Sequence, residues 1–177
     1  MSRVPRWPAL PEMVAKQLEL IQAEGAEAEE GDTDERVDYA TGEVTESAVT
    51  RPWNLGELGG GEFEDAVFSW LDRVVLWHNA VYGWQEHQLI PACWQQHPGL
   101  AMDLAALAFG RLDVYATATP KFVITWHGDW EEFQKRMSFA FGENDGRDCL
   151  NGKHSVPADY TRAGVKEAID KRRAEAD

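Results

Sequence analysis

The stretch FEDAVFSWLDRVVLWHNAVYGW, residues 63–84, repeats a large apolar side chain at steps of four and three. The positions are Phe63, Val67, Trp70, Val74, Trp77, Val81 and Trp84. On an α-helix they fall on one face, whereas on a strand they would scatter over both. The spacing predicts a helix over 63–84, weakened at Gly83 and ended before Pro91. Each indole brings a large apolar area and an N–H that needs a partner once it leaves water. The stripe reads as the seam of a small core, with the end near Trp84 as the best place for a groove. The other use of such a face is to hold an apolar peptide or stack bases. Base stacking normally goes with a positively charged groove, and this segment sets Arg73 alone against Glu64, Asp65 and Asp72.

Other segments repeat the helical period. PEMVAKQLELIQAE places Met13, Val14, Gln17, Leu18 and Ile21 behind Pro11, and predicts a short docking helix. PGLAMDLAALAFGRL carries Leu100, Leu104, Leu107 and Ala108 on one face between Pro98 and Gly110. DWEEFQKRMSFAF predicts a helix that starts at a capping box, Asp129 with Glu132, and lines Trp130, Phe133, Met137 and Phe141 on one side. KFVITW, between Pro120 and Gly128, is β-prone and reads as a short strand. The fold class is therefore mainly α: a small helical domain with at most a short β element. Residues 1–51 read as an acidic arm with one short helix and otherwise disordered. Residues 52–156 read as a Trp-rich helical domain, and 157–177 as a C-terminal helix.

The chain carries 31 Asp and Glu against 17 Lys and Arg, a net charge of −14. Such a field repels a phosphate backbone, so a direct nucleic-acid partner is not expected and a protein partner is. No basic stretch leads into an N-terminal apolar run, and no segment approaches the roughly 20 apolar residues that span a bilayer. Two cysteines do not make a disulfide framework. These features read as a soluble, cytoplasmic protein without a membrane association.

Two constellations invite chemistry. Cys93 and His97 stand at C-x3-H in CWQQH, and Cys149 and His154 at C-x4-H in CLNGKH. Thiolate and imidazole are the donors zinc prefers, and two chelating pairs from separate segments close a tetrahedral structural site. The alternative is that Cys93 is an ordinary buried thiol and His97 starts a helix before Pro98. In WHGDWEE, His127 beside Asp129 reads either as a base oriented by a carboxylate, the pair of a hydrolase, or as the approach to a helix cap.

RPWNLGEL, WLDRVVLWHNAVYGW, IPACWQQHPGLAMDLAALAFGRLDVY, WHGDWEEF and the late CLNGKH occur in that order. Together they resemble a group of small actinobacterial proteins often encoded near plasmid, integrative-element or phage genes. That group is similar in its P-C-W-x-x-H-P turn and W-H-x-D-[FW] segment, although here Ala92 separates the first proline from Cys93. The likeness covers roughly residues 51–154. It implies a mobile-element setting and no reaction. Cys93, His97, His127, Cys149 and His154 all fall on its motif positions, which implies a structural zinc tying together the two ends of the domain. The expected role is a non-enzymatic protein-binding or adaptor protein, with Trp77, Trp84, Trp94 and Trp126 as candidate partner-binding side chains. An acidic inhibitor or nucleic-acid mimic occupying a basic cleft on another protein is the second reading, and a hydrolase using His127 and Asp129 the third.

Overall fold

Gly59, Gly60 and Gly61 adopt φ of 77°, 81° and 81°, a region L side chains avoid. They turn the chain from a short 3-10 turn, Leu55–Glu57, into the Trp helix. The computed structural model describes residues 4–30, 49–85, 88–116, 119–140 and 149. Among these it contains four α-helices and no strand: α1 (Glu12–Glu30), α2 (Glu62–Val81), α3 (Pro98–Ala116) and α4 (Pro120–Ala140). The fold is mainly α, as the spacing predicts. None of these helices is long and apolar enough to cross a membrane. The expected C-terminal helix over 157–177 lies outside the described residues.

The stripe on α2 is the spine of the core. Val67, Trp70, Val74 and Trp77 are buried, together with Leu71, Val75 and His78 on the adjoining register. Helix α3 supplies Leu100, Leu104, Ala105, Ala108 and Phe109 against it. A bond from the Trp126 indole to the Leu107 carbonyl (2.9 Å) and an ion pair between Arg136 and Asp103 (3.2 Å) show α4 running antiparallel to α3.

The core reaches back further than a boundary at residue 52. Residues 5–8 run along α2 in the opposite sense. The Pro5 carbonyl accepts from the Trp77 indole (3.1 Å) and the Pro8 carbonyl from the Trp70 indole (3.2 Å). Trp7 sits edge-on against Trp77, with ring centroids 4.6 Å apart, and Val14 of α1 is fully buried. Gln17 ties α1 to the Thr50 carbonyl at 2.8 Å. The beginning of the expected arm is thus part of the body, because the α2 indoles need acceptors and Trp7 needs cover. Residues 31–48, the most acidic part, lie outside the described residues.

The expected strand KFVITW is instead the first part of α4. Trp126, Trp130, Phe133 and Met137 form a buried helical stripe, and that stripe carries the preceding residues into the same helix. Local β preference yields here to tertiary packing. Phe122 and Ile124 point outward, 52% and 72% exposed. The expected capping box therefore does not form. Asp129 lies in mid-helix, and Glu132 faces Lys135 at 3.7 Å. Gly128 is also interior to α4, and a methyl group added there meets nothing within 4 Å. Gly128→Ala is expected to stabilise the fold by about 0.5–1 kcal/mol. The check is a higher denaturation midpoint at unchanged m-value.

Candidate metal centre

Two prolines frame the segment that carries Cys93 and His97. Backbone bonds from Trp94 to the Pro91 carbonyl (3.0 Å), from Gln96 to that of Cys93 (2.8 Å) and from His97 to that of Trp94 (3.1 Å) wind residues 91–97 into a tight turn. Trp94 locks the turn onto α2. It is 1% exposed, its indole donates to the Asp72 carboxylate at 2.8 Å, and its ring stacks on Phe68. Upstream, the Asn79 side chain bridges both backbone groups of Ile90, each at 2.9 Å, and His78 Nε2 meets the Gln88 carbonyl at 2.8 Å. The residue before a proline is pushed out of the helical region. His97 accordingly sits at φ −112°, ψ 86°, and its carbonyl accepts from the Ala101 N–H (2.9 Å) as α3 begins.

Cys149, distant in sequence, closes on the same point. Its Sγ lies 3.4 Å from His97 Nε2, and the Sγ of Cys93 lies 3.7 Å from that nitrogen. All three donor atoms are within 4.8 Å of one another. His97 and Cys149 are each only 6% exposed. For a tetrahedral ion at about 2.3 Å from sulfur and about 2.05 Å from nitrogen, the S···N separation is about 3.6 Å. The two observed distances bracket that value, so these side chains can hold a metal ion with little movement. One imidazole nitrogen makes one good hydrogen bond, yet two sulfurs converge on it. An ion satisfies all three.

Burial, reinforced by Cys149 alongside, pushes the Cys93 thiol up to about 11. It is therefore protonated at neutral pH and not primed as a nucleophile. No known protein family, curated protein or solved structure matches the chain.

His154, the expected fourth ligand, lies outside the described residues. His127 and Asp129 are not brought together. Two residues along a continuous helix are turned about 200° from each other, and the structure separates them accordingly. His127 Nδ1 meets the Tyr82 hydroxyl and its Nε2 the Tyr115 hydroxyl, both at 3.2 Å. Asp129 faces a groove of about 280 Å³ beside Phe122 and Trp126. The alternative reading of His127 and Asp129 as a base–carboxylate pair finds no support in this arrangement. Of the four candidate binding tryptophans, Trp77, Trp94 and Trp126 are 9%, 1% and 3% exposed and spend their indole N–H groups inside the protein. Trp84 lies beyond the end of α2 and is 84% exposed, with its indole N–H donating to the Val81 carbonyl at 3.0 Å.

Sequence reasoning missed His78. It is fully buried, bonded through Nε2 to Gln88 and through Nδ1 to the Trp130 indole at 2.9 Å. Burial lowers its pKa, outweighing the carbonyl bond that raises it. The signal was available. His78 continues the register of Val67, Leu71 and Val74, one step beside the tryptophan stripe.

Proposed function

We propose that the chain is a non-enzymatic protein-binding module whose helical body is fastened by a structural zinc ion at Cys93, His97 and Cys149, with His154 as the fourth ligand. The convergence of two sulfurs and one imidazole nitrogen, two of the three side chains buried, carries the reading. Soft sulfur and nitrogen donors without a carboxylate favour zinc over magnesium or calcium. The buried polar groups support a binding role over a catalytic one. His78 and the buried indoles of α2, α4 and the 91–97 turn, the last bonded to the exposed Asp72 carboxylate, are all engaged in bonds that hold elements together. Trp84 is the anchor we assign to the partner, since a bare indole at a helix end offers large contact area at small entropic cost.

The test has two arms. Tag-free protein purified without chelator should contain one zinc per chain by elemental analysis, and only a trace would remove the zinc. Trp84→Ala should leave the unfolding midpoint within about 0.5 kcal/mol of wild type, yet abolish recovery of whichever protein the wild type captures from lysate. Equal recovery by both would remove Trp84 as the anchor.

A further inference from the structure

At the opposite end of α3 from His97, four segments converge on the Arg111 guanidinium. Its central carbon lies 3.8 Å from the Tyr115 ring, 4.3 Å from Trp7, 5.5 Å from Trp77 and 5.7 Å from Trp126. These rings supply cation–π attraction, and the Tyr115 side chain also hydrogen-bonds the guanidinium. No ion pair among the described residues involves Arg111, in a chain where acidic residues outnumber basic ones 31 to 17. Its Nε is buried without a hydrogen-bond partner, and so is the indole Nε1 of Trp7 beside it. Two neighbouring buried donors without acceptors point to a missing acceptor.

The rim of this cluster supplies a further donor. His127 bridges the hydroxyls of Tyr82 and Tyr115. A neutral imidazole donates through one nitrogen and accepts through the other. One tyrosine therefore donates to His127, while the other accepts from it and keeps its own O–H for an outside group. Burial and the adjacent Tyr115 push Tyr82 above its ordinary range, which outweighs the opposing pull of Arg111 and keeps its proton in place. Tyr115 is 43% exposed and His127 is at the surface, so the rim is open to solvent.

We infer that Arg111, with Trp7, Tyr82, Tyr115 and His127 around it, is a binding site for a carboxylate group. A carboxylate is planar, matches the guanidinium fork and carries one charge. A phosphate dianion would meet twice the repulsion from a protein of net charge −14. The site lies about 21 Å along α3 from His97 at a rise of 1.5 Å per residue, and it depends on neither the zinc nor Trp84.

The experiment follows the Trp7 indole N–H and Arg111 Nε–H resonances of the full ¹⁵N-labelled chain. Sodium acetate and sodium phosphate are added in separate titrations against sodium chloride at matched ionic strength. Acetate should move both resonances saturably while chloride does not. Tyr115→Phe should weaken the acetate response several-fold, and Arg111→Met should weaken it at least about tenfold. Should Arg111→Met not fold, the wild-type titrations and Tyr115→Phe decide the matter. Equal shifts with chloride and acetate would overturn the site. Saturation by phosphate without saturation by acetate would overturn its assignment to carboxylates. An unchanged acetate response in both variants would show that the anion binds elsewhere and overturn it too.

Discussion

On the proposed zinc site, chelation should lower the unfolding free energy of the native protein by about 4 kcal/mol relative to a buffer holding free zinc at about a thousand times Kd. Cys149→Ser should be destabilised to a similar level and should no longer respond to added zinc or to chelator. Cys93 and His97 belong to the turn that opens α3, and Cys149 follows α4, 52 residues after His97. An ion held by all three ties the N-terminal end of α3 to the chain beyond α4, and its binding energy becomes folding energy. The same geometry predicts a pH dependence. The Cys93 thiol, raised to about 11, must lose its proton to bind metal. Apparent affinity should therefore rise about tenfold per pH unit for that proton, or at least about a hundredfold between pH 6 and pH 8. Competition with a colorimetric chelator reads this directly, and a flat profile would contradict it. A reductant arm separates zinc from a disulfide. Were the stabilisation abolished by a thiol-free reductant and indifferent to chelator, the two cysteines would be a cross-link and the zinc reading would fail.

The parts of the fold that were legible in the sequence are those where one element declares its own buried face. The α2 stripe and the Leu/Ala face of α3 repeat at 3.6 residues because that period is the signature of one-sided burial. What stayed hidden depended on partners far away in the chain. Trp7 stands alone between prolines in a segment with no apolar period, and its place is set by indoles 63 and 70 residues later. KFVITW carries β-branched and aromatic residues, yet it is one helix with the Trp126–Met137 stripe. The candidate metal centre was half legible. Donor types and chelating spacings were in the sequence, but the meeting of Cys149 with His97 is a tertiary fact. The pairing of His127 with Asp129 was read from adjacency alone. On a helix, a separation of two residues places side chains on opposite sides.

His78 carries the second large effect, because two elements depend on one neutral ring. Its Nε2 lies 2.8 Å from a carbonyl oxygen, so that nitrogen bears the proton, and Nδ1 accepts from the Trp130 indole. This tautomer joins α2 to the 88–90 segment on one side and to α4 on the other. Protonation puts a second hydrogen on Nδ1, breaks the Trp130 bond and leaves a charge in the core. Burial holds the folded-state pKa below the ordinary 6.5. The stabilisation is therefore complete above 6.5 and is lost as pH falls from there toward the folded-state value, at about 1.4 kcal/mol per pH unit for this one proton. Relief of acidic self-repulsion acts in the opposite direction across the same range, since the net charge is −14. Comparison of variants removes that common term. His78→Leu should cost about 2–4 kcal/mol at pH 7.5, because it orphans the Trp130 indole N–H and the Gln88 carbonyl in the interior. The gap between wild type and His78→Leu in urea unfolding should then shrink between pH 7 and pH 5.5, by at most about 1.3 kcal/mol for one proton. A gap that stays constant, or widens, would mean that His78 takes up its proton in the folded core as readily as in the unfolded chain and that the Trp130 bond is not what holds α4 to α2.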